Sequence, residues 1–425
     1  MTILIGIILI SFAIIAWRDL KLALTMIVAI SPAYLIRFEI GVPSTVLETM
    51  ILIAFAMWIV TSLRDGDGQG RALPLRAMFA SYGPPVFFLL AIATFATLWA
   101  PDMSAALGIW KAYFIEPAIV FVMLRTTFVT REDWTRTLTG LALTIMAVTA
   151  FAIFQKLTGL GLPIPWDVER RATSIFEYPN AVGLFIAPVI SALIITAVAT
   201  GDEGTRHGRV LRMVMAIGAI AGVAAIVLSQ TEAALVAIPA ALVIVGVMAK
   251  WEMLRTRPCR VPSAIIATGI IVGVVIIAGI PIVREKLLLQ DYSGQVRRSQ
   301  WGETVEMLKD RPLQGAGLGG YPTIFEPYHD AKLYEIFQYP HNVILNFWVE
   351  MGLFGVIAFL WLALVTGKLA WQRRNDPFVL AAFAALLTMA IHGLVDVPFF
   401  KNDLAVLTVF FMAMMLAQAR ITNKA

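Results

Sequence analysis

Long apolar stretches separated by short polar connections recur along the chain from Ile3 to Ala417. Their apolar positions are continuous rather than alternating, a pattern that favours helices over strands. A helix needs about 20 mostly apolar residues to cross the hydrocarbon core, where lipid cannot satisfy exposed backbone groups. We therefore predict thirteen membrane spans, or twelve if the two short N-terminal segments form an interfacial hairpin. The predicted spans are 3–17, 20–36, 46–63, 82–100, 105–124, 136–157, 180–200, 213–229, 231–249, 263–283, 341–366, 377–396 and 404–419.

The composition narrows the class of protein. Of 425 residues, 59% are hydrophobic and 14% are charged, against about 45–50% and about 25% in soluble domains. Such a chain has too little polar surface to cover a soluble fold. The predicted fold class is an all-α, polytopic membrane protein in which residues 1–425 form a single transmembrane domain. Cys259 is the only cysteine, which excludes an internal disulfide and CxxC-type metal or redox sites.

The distribution of lysine and arginine predicts the orientation. Alternate short connections are basic, which places them in the cytoplasm together with the C-terminus. The two longest connections, 158–179 and 284–340, then lie outside, and the longer one joins spans ten and eleven. Long loops on one face of a rigid scaffold commonly carry function, so the functional site is expected at the outer face. The first stretch, Ile3–Trp17, has no basic segment before it and is predicted to be retained rather than cleaved.

Within the long outer loop, Arg298, Trp301, Val305 and Leu308 fall on one helical stripe. Residues 296–309 are therefore predicted to form an amphipathic helix on the membrane surface. His341 follows Pro340 at the start of span eleven, where the positive end of the helix dipole favours a neutral imidazole. A neutral imidazole can act as a general base, although the residues alone equally allow an interfacial histidine that contacts headgroups.

Two arginine pairs lie on the predicted outer face, Arg170–Arg171 and Arg297–Arg298. Planar guanidinium groups bind phosphate through two parallel hydrogen bonds, so a diphosphate group would account for their position against the positive-inside bias. Headgroup anchoring or pairing with nearby carboxylates is an equal alternative. Ionisable residues within the predicted spans are candidates for function, although structural pairing is favoured for His392 and Asp396. The other candidates are Glu350 and Glu116, the latter near Lys111.

Two short motifs are discounted. Gly315, Gly317 and Gly320 fit the GxGxxG pattern, but no strand precedes them and the loop is predicted to face away from cytosolic cofactor. Asp65 and Asp67 form a DxD pattern in a connection too short to hold a nucleotide-binding domain. His329, Asp330 and His341 lack the spacing of a metal site. We expect neither a metal nor an organic cofactor.

Four segments of the chain form a recognisable set of motifs. They are Arg311-Pro-Leu-Gln-Gly-Ala-Gly-Leu-Gly319, His341-Asn-Val-Ile-Leu-Asn-Phe-Trp-Val-Glu350-Met-Gly352-Leu-Phe-Gly355, Arg297-Arg-Ser-Gln-Trp301, and Arg171-Ala-Thr-Ser-Ile-Phe176 through Pro179-Asn180. In order and spacing, this set resembles the O-antigen ligase and O-antigen polymerase superfamily. Ser174 departs from the superfamily pattern, where Gly is usual, and Glu232 stands where many members have Arg.

The resemblance implies a membrane-embedded, metal-independent and inverting glycosyltransferase of the GT-C type in a bacterial plasma membrane. Its donor would be a glycan on undecaprenyl diphosphate, and its acceptor a hydroxyl of a lipid-linked sugar, a polysaccharide or a protein. His341 would act as base, and Arg171 and Arg297 would hold the diphosphate; only the superfamily spacing prefers these arginines to their neighbours. The implied substrate-binding residues are Arg170, Arg298, Asn180, Asn342 and Glu350.

Alternatives remain open at this stage. A ligase, a polysaccharide polymerase and a protein O-oligosaccharyltransferase share these motifs. A polysaccharide or lipid transporter is more remote, because the chain has no internal repeat of spans and its charged groups gather at the outer mouth. A structural scaffold would leave His341 and the outer arginine pairs without a role.

Overall fold

The computed structural model describes residues 2–64, 81–199, 206–249, 289–330 and 334–417. It is an all-α membrane protein, as predicted. The helices are α1 (Thr2–Arg18), α2 (Leu20–Ala29), α3 (Val46–Arg64), α4 (Gly83–Leu98), α5 (Met103–Trp110), α6 (Glu116–Thr127), α7 (Arg131–Thr158), α8 (Pro179–Ala199), α9 (Arg206–Ser229), α10 (Glu232–Met248), α11 (Tyr292–Asp310), α12 (Tyr321–Phe325), α13 (Val343–Gln372), α14 (Pro377–His392) and α15 (Asn402–Met415). Two 3-10 turns (Ser31–Leu35 and Glu326–Tyr328), a π-helical turn (Lys111–Ile115) and two strands, β1 (Arg37–Ile40) and β2 (Val42–Thr45), complete the regular structure.

Helices occupy twelve of the thirteen predicted spans, and the remaining one, 263–283, lies outside the described residues. In the described part of the chain, six helical segments are long and apolar enough to cross a membrane, and six further apolar helices are shorter. One of the shorter ones is α2, which ends at Ala29, well before the predicted end of span two. Pro32 in the following turn has no backbone N–H to continue an α-helix.

A short antiparallel hairpin departs from the prediction of helices alone. Strands β1 and β2 pair Arg37 with Thr45 and Ile40 with Val42 around Gly41. Residues 37–45 are the predicted connection between spans 20–36 and 46–63. In the structure this connection is a hairpin that leads the chain from the 3-10 turn into α3.

Helix α8 forms the centre of the bundle. It packs against α14, α9 and α10, and most of its residues are buried, including Phe185 and Ile190. A helix that is apolar on every face is stable only when neighbours surround it. Its Ser191 hydroxyl lies 2.7 Å from the Thr388 hydroxyl of α14. This central helix begins at Pro179-Asn180, so the loop 158–179 leads directly into the core.

Helix α13 is broken at Gly352, where the backbone adopts φ 67°. The loop after α11 docks into this break: the Leu353 amide donates to the Pro312 carbonyl (3.0 Å), and the Ala316 amide donates to the Val349 carbonyl (2.6 Å). A side chain at Gly352 would place its Cβ 1.9 Å from the Leu313 carbonyl oxygen. The glycine motif and the Glu350–Gly352 motif are therefore two halves of one packing interface.

Gly352→Ala is expected to destabilise the protein by at least about 3 kcal/mol, because alanine is strained at this φ and its Cβ would displace the docked loop. Gly367→Ala is the matched control in the same helix, since nothing lies within 4 Å of a Cβ there. Alanine favours a helix over glycine by about 0.5–1 kcal/mol, so this control should unfold at an equal or higher temperature. Thermal unfolding in detergent measures both; equal Tm values for the two variants would contradict the argument.

Helix α11 extends over Tyr292–Asp310 and contains the predicted helix 296–309. The face of α11 that packs inside the protein consists of Gly294, Val296, Gln300, Thr304, Met307 and Leu308. Of the predicted stripe, Leu308 belongs to this face, whereas Arg298 and Val305 are exposed. Buried Gln300 donates to the Tyr339 carbonyl at 3.0 Å, and the Thr304 hydroxyl lies 2.8 Å from the Tyr321 hydroxyl. The position of the stripe on a membrane surface stays a prediction.

Candidate active site

His341 immediately precedes the N-cap of α13. Asn342 is the cap, and its Oδ1 accepts from the amides of Ile344 and Leu345, each at 3.0 Å. His341 itself has φ 48°, a left-handed conformation that costs a non-glycine residue about 1–3 kcal/mol. Its ring makes edge contacts with Phe337 and Tyr339, with centroids at 5.1 and 4.9 Å. The strained backbone and the two rings fix the direction of the imidazole.

Asp396 lies beside this imidazole. Its Oδ1 is 3.5 Å from His341 Nδ1 and accepts from the Val397 amide at 2.8 Å. Burial alone would raise the pKa of this carboxyl, but the His341 and His392 rings and the Val397 amide outweigh burial and hold the pKa well below its usual range. The 3.5 Å contact is a charge contact, since His341 Nδ1 has no hydrogen-bond partner among the described residues. A carboxylate on this side of the ring favours a proton on Nδ1, which leaves Nε2 as the acceptor.

Arg171 lies in the loop 158–179, eight residues before α8 begins. Its Nε donates to the Ser229 carbonyl at 2.7 Å, and its Nη2 donates to Asn180 Oδ1 at 2.8 Å. The Asn180 amide in turn donates to Asp396 Oδ2 at 3.3 Å. Burial lowers the pKa of the Arg171 guanidinium, and the nearby charge of Arg297 lowers it further. The carboxylates of Glu232 and Glu169 act in the opposite direction and raise this pKa. The guanidinium stays charged, because the pKa of arginine is very high.

Arg297 approaches from α11. Its Nε donates to the Val395 carbonyl at 3.0 Å, and its Nη1 donates to the Ser293 hydroxyl at 2.7 Å. On the same side of the helix, Trp301 Nε1 donates to the Pro340 carbonyl at 2.7 Å. Like Arg171, Arg297 is held by Nε and one terminal nitrogen, so the other terminal N–H groups remain for a ligand.

The turn 393–396, which follows α14, is hydrogen-bonded to three other helices or their ends. It contacts the start of α13, helix α11 and, through Asn180, the start of α8. Its backbone carbonyls at Gly393, Leu394 and Val395 accept from the Val343 amide (2.7 Å), Asn342 Nδ2 (3.0 Å) and Arg297 Nε (3.0 Å).

The structure brings together His341, Arg171, Arg297 and Asn180, and it places the other candidates differently. Arg170 is exposed with φ 48°, and its Nη1 is directed to the Leu157 carbonyl at 3.5 Å. Arg298 is exposed on α11. The Asn342 side chain is used by the helix cap and by Leu394. Glu350 is buried and accepts from the Gly319 amide at 2.7 Å, so it holds the docked glycine loop.

Asp396 is the site residue that sequence reasoning assigned to a different role. We expected it to pair with His392 one helical turn away. Helix α14 ends at His392, so Asp396 lies in the turn and reaches His341 and Asn180 instead. In the described structure, neither ring nitrogen of buried His392 has a hydrogen-bond partner. The sequence contains one indication of this contact. Asp396 ends predicted span 377–396 and His341 begins predicted span 341–366, and both of these span ends are predicted to lie on the outer face.

Glu116 lies near Lys111, as expected, at 4.0 Å. The ammonium of Lys111 hydrogen-bonds to Glu48 of α3. This group sits around the π-helical turn and apart from the His341 cluster, which favours the structural role over a role in a pathway.

The two departures from the superfamily pattern both lie against the Arg171 loop. Ser174 has φ 51°, which explains why glycine is usual there; its hydroxyl bonds to the Val148 carbonyl at 2.7 Å. Buried Gln155 fixes the same loop by accepting from the amides of Thr173 and Ser174. Glu232 lies close enough to Arg171 to oppose the lowering of its pKa. The chain thus has a carboxylate beside Arg171 where many relatives have an arginine.

An apolar cavity of about 480 Å³ lies inside the bundle, among α4, α6, α13, α14 and α15. Its lining includes Val343 and Phe347 in the first turns of α13, and Thr366 and Gly367 farther along the same helix. Val343 follows the Asn342 cap directly, so the cavity begins one turn of α13 away from His341.

Residues 217–360 match the family model described as O-Antigen ligase. The resemblance to the O-antigen ligase and polymerase superfamily is confirmed. The matched segment contains Arg297, His341 and Glu350, begins after Arg171 and ends before Asp396. It indicates a glycosyltransferase of the ligase or polymerase type, and the family implies a lipid-linked glycan donor and a glycan acceptor. A comparison with curated proteins gives no match.

Proposed function

We propose that this protein transfers a glycan from undecaprenyl diphosphate to an acceptor hydroxyl at the outer face of the plasma membrane, as an O-antigen ligase does. The observation that carries the proposal is the turn 393–396, which contacts the elements bearing Arg171, Arg297 and His341. The imidazole of His341 is suited to deprotonate an acceptor hydroxyl. The two anchored guanidinium groups are suited to bind a polyanionic leaving group next to it. The cytoplasmic C-terminus and the single domain 1–425 belong to the same proposal.

In this mechanism, His341 Nε2 accepts the proton of the acceptor hydroxyl as its oxygen attacks the anomeric carbon. Asp396 stabilises the imidazolium that forms and keeps the ring in place. The bond from the anomeric carbon to the diphosphate oxygen breaks, and its electron pair leaves with the diphosphate. Direct attack from the opposite face inverts the anomeric centre.

Arg171 and Arg297 would stabilise the charge that develops on the leaving diphosphate. Preorganised donors aimed at developing charge typically contribute about 10²–10³-fold each to the rate. Before any ligand arrives, Arg171 is fixed by three protein hydrogen bonds and Arg297 by two. Little reorganisation is therefore needed in the transition state.

The deciding experiment is reconstituted transfer. The full chain in liposomes receives undecaprenyl-diphosphate glycan and a panel of acceptors in the presence of EDTA, and release of free undecaprenyl diphosphate is followed. Release that requires an acceptor supports the proposal, and the acceptor that works separates ligase, polymerase and protein glycosylation. Strict dependence on an added metal would contradict the arginine mechanism. Failure with native lipid extract as donor would overturn glycosyl transfer and favour a transporter.

Asp396→Asn is expected to lower kcat about 10²-fold with little change in the donor KM. The amide cannot stabilise the imidazolium, and its N–H group favours the wrong tautomer. Glu306→Gln is the control, since Glu306 is an exposed carboxylate of the same outer region that pairs with Lys309 at 2.7 Å. Steady-state kinetics and Tm are measured for both. A fall in Tm large enough to account for the lost activity would contradict a positioning role.

Ala390→Trp is expected to raise the KM for an undecaprenyl donor about tenfold. Ala390 lines the apolar cavity, so the indole would displace part of a polyprenyl chain, and losing the burial of two methylene groups costs about 1.6 kcal/mol. A donor with a short prenyl chain should be unaffected. Ala147→Trp is the control, because Ala147 is exposed on α7 and is not part of the cavity lining. Equal effects on long and short donors would contradict this use of the cavity.

A further inference from the structure

Lys401 occupies an unusual place for a lysine. It is the N-cap of α15, with extended backbone (φ −155°, ψ 149°), and its side chain makes no capping hydrogen bond. Helix N-termini favour Ser, Thr, Asp or Asn as caps, and their positive dipole end opposes a cation. Lys401 therefore sits where its charge does not stabilise the helix.

The Lys401 ammonium is half-buried and lies 4.2 Å from the centre of the Tyr178 ring. No carboxylate of a described residue is within 4.0 Å of it, whereas Lys21, Lys111 and Lys309 each have such a partner. Burial lowers its pKa, and the more distant charges of Asp403, Glu177 and Asp396 oppose that effect. These carboxylates favour the charged form without occupying its N–H groups.

Two tyrosines connect this ammonium with the active site. The Tyr178 hydroxyl lies 3.0 Å from the Tyr339 hydroxyl, and the Tyr339 ring contacts the His341 ring at 4.9 Å. Tyr178 precedes Pro179-Asn180 and Tyr339 precedes Pro340-His341, so each is rigidly attached to an element of the site. Lys401 also follows Asp396 by five residues in the same connection. Tyr178 and Tyr339 therefore join the Lys401 ammonium to the His341 ring through three successive contacts.

We propose that Lys401 binds a phosphoryl group of a substrate beside the His341 cluster. A cation held on an aromatic face with unused N–H groups is suited to a phosphate oxygen, and charge-assisted hydrogen bonds are among the strongest in proteins. The proposal rests on the proposed function, and the phosphoryl group has two possible sources. It belongs either to the diphosphate of the donor or to a phosphate carried by the acceptor.

The first test measures binding without turnover. Inorganic diphosphate is titrated into the full chain in detergent at constant ionic strength, and the dissociation constant is obtained from thermal stabilisation. Lys401→Gln is expected to raise this constant about tenfold, and Lys401→Arg to keep it within about threefold of the original. Lys401→Asn should lose the same affinity while its side chain supplies a regular N-cap, which separates loss of binding from loss of folding. Lys309→Gln, an exposed lysine of the outer region, is the matched control and should match the original protein.

Unchanged diphosphate affinity in Lys401→Gln and Lys401→Asn would overturn the proposal, as would a loss fully explained by lower Tm; Lys401 would then serve only as a counter-ion for buried Asp403. Kinetics then distinguish the sources. A higher KM for the donor alone assigns the donor diphosphate, and a higher KM for the acceptor alone assigns an acceptor phosphate. If the original protein transfers no glycan yet its diphosphate affinity depends on Lys401, the proposed function fails and the anion site stands.

Discussion

His341→Ala is expected to lower the rate of glycan transfer about 10³-fold, within the range that general-base catalysis contributes. The imidazole is the group that can accept the acceptor proton, and Asp396, 3.5 Å away, orients it. The donor should still bind, because the guanidinium groups of Arg171 and Arg297 are anchored by other residues. The measurement is release of undecaprenyl diphosphate in liposomes, together with the dissociation constant of the donor.

The conformation of His341 requires a second variant. Its φ of 48° strains most residues, so alanine could lower activity by moving the loop. Asparagine tolerates left-handed backbone, and His341→Asn keeps a polar group while removing the base. Both variants should lose activity equally and should keep the original Tm within a few degrees. More than a tenth of the original activity in His341→Asn would contradict the assignment of His341 as base.

The positions of the helices follow from the apolar runs, and this part of the fold could be predicted. A run such as 180–200 has no stable alternative to a helix in lipid, and the structure has α8 at Pro179–Ala199. The break at Gly352 and the hairpin around Gly41 depend on tertiary contacts, which apolar periodicity does not report. The face of α11 that packs inside the protein depends on such contacts as well. Gln300 and Thr304 are polar yet buried, and each has the Tyr321 hydroxyl within hydrogen-bond distance.

The site was predicted in part. His341, Arg171 and Arg297 were found because their residue types suit base and diphosphate chemistry, and their spacing resembles the superfamily. Sequence alone did not relate Asp396 to His341, since the two are separated by all of α13 and α14. Lys401 was missed because a lysine after a span has an ordinary explanation as a surface charge. Only the fold shows that its ammonium lies on Tyr178 without a carboxylate partner in the described structure.

Replacing Arg297 or Arg171 with lysine is expected to lower transfer by about 10²-fold each. Lysine keeps the charge but lacks the planar fork, so it cannot both retain the protein contacts and reach a diphosphate. For Arg297 these contacts are the Val395 carbonyl and the Ser293 hydroxyl. For Arg171 they are the Ser229 carbonyl and Asn180 Oδ1. Losing them would also loosen the turn that carries Asp396.

The neighbouring arginines provide controls that differ by one position. Arg298→Lys and Arg170→Lys change exposed residues, so transfer should stay within about threefold of the original rate. Because the members of each pair are adjacent and carry the same charge, test and control differ in the burial and the hydrogen bonds of the guanidinium group. Equal losses in both members of a pair would indicate a general attraction for anionic lipid. Losses confined to Arg171 and Arg297 would identify the two forks that hold the leaving diphosphate next to His341.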